Sequence, residues 1–114
     1  MKLTVNVTDD DIRTGEPAEP CSCPVALAIR RTLLSAHVPL SSVAVVDSEG
    51  AGWPSMQALI RYRDGTAESI PLPSPVTLFV QDFDDLEAQL FRVPPGPKGI
   101  PLPSSFWFDM EITQ

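Results

Sequence analysis

Positive charge is scarce in this chain. Eight Lys and Arg stand against 15 Asp and Glu, leaving a formal net charge of −7. Neutralising a phosphate backbone takes clustered Lys and Arg, so direct nucleic-acid binding is not expected. Histidine occurs once, at position 37, and cysteine twice, at 21 and 23. A bridge across a single intervening residue is strained, and two cysteines make no disulfide framework, so two free thiols in a reducing compartment are expected. Long apolar runs are also missing. The longest, Pro24 to Ile29, is far short of the roughly 20 residues that span a bilayer. Residues 1–20 lack the basic-then-apolar layout of a signal peptide. The expectation is a cytoplasmic protein without membrane contact. No glycine-rich phosphate loop, catalytic triad or metalloprotease spacing occurs, so neither an enzyme nor a cofactor is expected.

What is present is a 114-residue chain with 43% hydrophobic residues and 13 prolines. Its mean hydropathy of +0.04 fits one folded domain over 1–114. Lys2 to Val7 alternates as a half-buried strand, with Leu3, Val5 and Val7 on one side. Thr8 to Gly15 reads as a single helical turn. Thr8 caps it, and Asp9, Asp10 and Asp11 sit at the positive end of the dipole, which accounts for the triplet without a cation.

The run from Cys21 to Leu34 is the organising stretch. Ser22 or Cys23 caps a helix, Pro24 suits its first turn, and Val25, Ile29, Leu33 and Ala36 share a face opposite Arg30, Arg31 and Ser35. The helix should stop near Ala36–His37, ahead of Pro39. Val43 to Val46 reads as a buried strand, and Met56 to Arg63 as an alternating one. Asp64-Gly65 signals a hairpin that returns through Thr66 to Ile70. Ser74 and Pro75 open a second long helix in which Val76, Phe79, Val80 and Phe83 recur at helical spacing. Prolines at 94, 95, 97, 101 and 103 make 92–105 a loop. Phe106 to Ile112 alternates again, with Trp107, Asp109 and Glu111 outward. The fold class is α+β in two layers: a mostly antiparallel sheet of about five strands packed by two helices.

Candidate chemistry is thin. Cys21 and Cys23 lie at a helix N-terminus that could favour a thiolate, yet His37 sits about 20 Å away at the other end of that helix. Two cysteines and one histidine so divided cannot form a four-ligand metal cage within one chain. Small side chains packing the start of the helix are the simpler account, and His37 is simplest as a donor near the helix C-terminus. Arg61 and Arg63 flank Tyr62 beside the hairpin and could clamp a carboxylate or phosphate, or merely pair with Glu68 across the strands. Asp82, Asp84, Asp85 and Glu87 form the densest acidic cluster, either a solvated helix face or a decoy of nucleic-acid charge. Trp53, Trp107 and the proline loop fit an interface better than a monomeric core, although Trp107 could also pack beneath the second helix or the loop.

Val5-x-Val7-Thr8, Asp11-Ile12-x-x-Gly15 and Cys21-x-Cys23-Pro24-Val25-Ala26-Leu27-Ala28, with Phe79-Val80-Gln-Asp-Phe83-Asp84 and Phe106-x-Phe108, resemble a group of small uncharacterised actinobacterial and phage accessory proteins. The resemblance covers both ends of the chain and not the middle, and some twenty residues up to Pro103 stand in place of a short turn. It implies a phage or prophage setting and no catalytic residue. The functional expectation is therefore a non-enzymatic binding protein that modulates a host protein. The alternatives are an oligomeric small-ligand or nucleotide binder using Arg61, Tyr62 and Arg63, and a thiol or metal protein using Cys21 and Cys23.

Overall fold

The computed structural model describes residues 1–16, 19–47, 56–81 and 105–113. The order is β1 (Lys2–Val7), α1 (Asp9–Thr14), α2 (Pro24–Ser35), β2 (Leu40–Asp47), β3 (Met56–Tyr62), β4 (Ala67–Pro71), α3 over residues 74–81, and β5 (Phe106–Glu111). The α+β class holds. The strands, however, form two antiparallel ladders rather than one sheet: β1 with β5, and β2–β3–β4. Helix α2 packs on both, against β1 and against β2. Its buried residues include Val25, Ile29 and Leu33 of the stripe read from the sequence, together with Ala26 and Ala28, while Ala36 is only partly buried.

Side-chain caps set the starts of both N-terminal helices. Thr8 and Asp11 form a reciprocal box: the Asp11 amide donates to the Thr8 hydroxyl (3.2 Å), and the Thr8 amide donates to the Asp11 carboxylate (2.9 Å). Cys23 caps α2 through its sulfur, which accepts from the Ala26 amide at 3.4 Å. Gly15 ends α1 with φ −67°, so a left-handed turn is not its reason for being there. A Cβ at that position would lie 2.6 Å from the Pro24 ring, so Gly15 lets α1 abut α2.

The end of α2 does use a left-handed residue, and it is not glycine. His37 has φ 61°. Its amide donates to the Leu34 carbonyl (3.1 Å), and the Val38 amide donates to Leu33 (3.0 Å), the paired bonds of a Schellman motif. Val38 and Leu33, the residues at its two ends, are both buried. The hairpin after β3 is a three-residue loop, 63–65, with Gly65 at φ 91° closing it. Asp64 accepts from the Thr66 hydroxyl (2.6 Å) and amide (2.8 Å), which holds its carboxyl below the ordinary range.

Asp11 ties three elements together. Its carboxylate receives both Arg31 nitrogens, at 2.6 and 2.8 Å, while Arg31 also donates to the Asn6 carbonyl at 2.7 Å. Asp11 is 4% exposed. That burial acts to raise its pKa, but the hydrogen bonds from Arg31 and Thr8 outweigh it and leave the carboxyl below 3.8.

Helix α3 begins at residue 74, with the Pro73 carbonyl accepting from Val76 (2.9 Å) and Thr77 (3.0 Å). The sequence had placed the cap one residue later, at Ser74. Val76 and Val80 are buried, Phe79 packs its ring 4.5 Å from that of Phe106, and the buried Thr77 hydroxyl accepts from the Met56 amide. Phe83 lies outside the described residues, as does most of the proline-rich stretch.

Two outcomes test this account. Replacing exposed His37 by glycine relieves a left-handed non-glycine residue, and His37→Gly should raise stability by about 1 kcal/mol in urea unfolding. Asp11→Asn should cost about 2 kcal/mol near neutral pH, since it breaks a charge-assisted bidentate pair. A carboxyl with a lowered folded pKa stabilises fully above its unfolded value and loses that contribution as pH falls through the folded one. The gap between wild type and D11N should therefore narrow below about pH 4.

Candidate functional site

The register decides which candidates share a surface. Ile60 stands opposite Glu68, and Arg61 opposite Ala67. Met56, Ala58, Ile60 and Tyr62 are buried, so Glu68 lies on the core side of its sheet and Arg61 on the outer side. The pairing of Glu68 with Arg61 or Arg63 suggested by the sequence is not what forms. The Tyr62 hydroxyl donates to the Glu68 carboxylate instead, and the Thr113 amide donates to the same carboxylate at 3.2 and 3.3 Å. Glu68 thereby joins the β2–β3–β4 sheet to the end of the chain beyond β5. The strand alternation that put Met56, Ala58, Ile60 and Tyr62 on one face already carried the signal that Glu68 would meet Tyr62.

Arg61, Tyr62 and Arg63 consequently do not converge. Tyr62 is 3% exposed and faces inward. Arg61 is exposed on the outer face, and the Arg63 Nε donates to the Leu40 carbonyl at 3.3 Å. Burial first, and then Glu68, push the Tyr62 phenol well above its ordinary pKa of 10.

Cys21 is exposed and Cys23 buried. His37 follows the far end of α2, so the three do not meet within the chain. Among the described residues no three His, Cys, Asp or Glu side chains are grouped to hold a metal, and no buried side-chain nitrogen or oxygen lacks a hydrogen-bond partner. No helix among them is long and apolar enough to cross a membrane. Trp53, Asp82, Asp84, Asp85 and Glu87 lie outside the described residues.

Trp107 is the candidate that stands out. It is 65% exposed on the outer face of β5, where Asn6 is its cross-strand neighbour. It does not pack under any of the described helices. Lys2 opposite Glu111 and Thr4 opposite Asp109 make the rest of that face polar, the latter pair joined by a 2.8 Å hydrogen bond. Beside Trp107 opens a cleft of about 460 Å3, which runs from Val7 and Thr8 to Ser105 and Phe106. A second hollow, on the outside of α2, is a shallow groove between Leu27, Leu34 and Arg30.

Comparison of the chain with protein-family models, with curated proteins and with solved structures gave no match.

Tyr62 is the single tyrosine, which makes its environment directly readable. Its phenolate absorbance should stay absent through pH 10 and rise only together with alkaline unfolding, because a raised folded pKa adds stability that is lost as pH climbs toward it. Tyr62→Phe has no phenol to ionise, so that variant supplies the baseline. A midpoint near pH 10 in the folded wild type would contradict the buried contact with Glu68.

Proposed function

We propose that this chain acts by binding another protein, with Trp107 as the anchor, and not by catalysis. The observation that carries the reading is an indole 65% exposed on an otherwise polar strand face. A large apolar side chain on a solvated face adds nothing to the core, whereas tryptophan at the centre of a protein interface often dominates affinity. The adjoining cleft offers a partner relief to fill, and the Phe106–Phe79 ring contact holds the strand on which the indole stands. The resemblance to actinobacterial and phage accessory proteins makes a host protein the partner class, met in the cytoplasm and modulated by occupation of its surface. The nucleotide-binding alternative would need Arg61, Tyr62 and Arg63 on one side of the chain, and the thiol or metal alternative would need ligands beyond Cys21 and Cys23.

Immobilised wild-type chain and its Trp107→Ser variant, challenged with the same actinobacterial lysate, provide the test. Exposed Trp107 can be changed without loss of core packing, so both should melt within a few degrees of each other. The proposal expects a defined species retained by the wild type and at least tenfold depleted on the variant, in line with a hot-spot loss of about 1.4 kcal/mol or more. Identical retention on both would show that the indole is not the anchor.

A further inference from the structure

Each strand of an antiparallel pair turns every second residue's N–H and C=O toward its partner and the others away. Met1 and Ile112 exchange both bonds, the Met1 amine donating to the Ile112 carbonyl (2.8 Å) and the Ile112 amide to the Met1 carbonyl (2.9 Å). Carried along the register, this makes Leu3 with Met110, Val5 with Phe108 and Val7 with Phe106 the bonded pairs. The N–H and C=O groups of Trp107, Asp109 and Glu111 therefore point away from β1, along the outer edge of β5. Among the described residues nothing pairs with them. Thr113, next in that series, donates to Glu68, which closes the edge at its C-terminal end alone.

The other strand edges are blunted. The Val45 amide of β2 donates to the Pro20 carbonyl (2.9 Å), and the outward Asn6 carbonyl of β1 is taken by Arg31. In β4 the bonds of Thr66 to Tyr62 and of Leu72 to Met56 leave Ala67, Ser69 and Pro71 facing outward, and Pro71 has no amide to offer. The edge of β5 has no such device between Trp107 and Glu111. Its bordering side chains, Trp107, Asp109 and Glu111, are all exposed. Asp109 accepts a hydrogen bond from Thr4, and among the described residues neither carboxylate is in an ion pair.

We propose that the partner engages this chain by adding an extended segment to the edge of β5, antiparallel, as an extra strand beside Trp107. The inference rests on the reading of Trp107 as the anchor and names what lies against it: a segment of the pattern basic-x-basic-x-apolar. Residues that exchange main-chain bonds with Glu111, Asp109 and Trp107 stand directly opposite them and share their outer face. Antiparallel order sets the first basic residue against Glu111, the second against Asp109 and the apolar one against the indole. Opposite charges and aromatic–aliphatic contacts directly across a ladder are the pairs that stabilise it. The same carboxylates disfavour a second copy of the chain at this edge. Two β5 strands so paired bring Asp109 against Asp109, and like charges directly opposite destabilise a ladder.

Amide hydrogen exchange of the isotope-labelled full chain, followed residue by residue by NMR, tests it. The probes are the peptide acetyl-Thr-Lys-Val-Lys-Val-Leu-Thr-amide and its counterpart with Glu in place of both Lys. In the free chain the amides of Trp107, Asp109 and Glu111 should exchange faster than those of Phe108 and Met110 by about tenfold or more. With a dissociation constant on the order of 0.1 mM, the basic peptide at about 1 mM should slow the three edge amides about tenfold. The acidic peptide should leave them unchanged. A variant carrying both Asp109→Lys and Glu111→Lys should reverse that preference, with continued protection of Phe108 and Met110 as its check of folding. Edge amides already protected in the free chain overturn the proposal. So do edge amides that the basic peptide leaves unslowed, or that both peptides slow equally. A lysate species lost on Trp107→Ser, with wild-type edge amides indifferent to the basic peptide, overturns the added strand and leaves the anchor standing. Trp107→Ser that matches the wild type in both lysate retention and peptide protection overturns the anchor, and this inference with it.

Discussion

The carboxylate of Asp11 is the point on which the N-terminal half of the fold turns. It completes the cap of α1 with Thr8 and receives both nitrogens of Arg31 from the middle of α2, while the same guanidinium reaches the Asn6 carbonyl at the end of β1. One buried anion thus sets the angle between a strand and two helices. Its burial is tolerable because both carboxylate oxygens accept hydrogen bonds, and Arg31, half-exposed, keeps its own charge in contact with water. Gly15 belongs to the same arrangement. Without a side chain there, α1 can lie against Pro24, and α2 arrives where Arg31 meets Asp11.

Glu68 plays a comparable part at the opposite end of the chain. Among the described residues the two ladders share no backbone pairing; they are joined by the apolar core beneath α2, by α3 through Thr77 to Met56 and Phe79 to Phe106, and by a carboxylate held by a phenol from one side and a main-chain amide from the other. Both carboxylates face inward with satisfied partners, and neither lies in a cleft aimed at a substrate. Asp11 and Glu68 are thus both held in architectural roles.

Most of this was legible in the pattern of residues. Alternation located β1, β3 and β5, and helical spacing located the buried face of α2 and the first turns of α3, because each of these elements has one wet side and one dry side. The reading was less complete at β2, taken as Val43 to Val46 but spanning Leu40–Asp47. Ala44 and Val46 point outward yet are apolar, so the period-two signal vanished into a continuous run. Division into two ladders was equally hidden, since propensity speaks of strands and not of which strands share hydrogen bonds. For the candidate site, the alternation that made Trp107 outward-facing was a sound guide. Adjacency misled at Arg61, Tyr62 and Arg63, where neighbouring residues of a strand belong to opposite faces and the hairpin's return strand chose the phenol as its partner.

The pairing of β1 with β5 has a temporal side. Thr4 bonds to Asp109 across 105 positions of sequence, and the Met1 amine meets the Ile112 carbonyl across 111. Strand β1 is synthesised about a hundred residues ahead of its ladder partner β5, so Val5 and Val7 wait for their final cover until β5 has been made. Helix α2 and the β3–β4 hairpin can organise from near neighbours in the meantime, but closure of the core is a late, long-range event, and such closures are slow. Until then the edge of β1 is open to chaperones, proteases and unwanted strand pairing, whereas β5 meets its partner as soon as it forms.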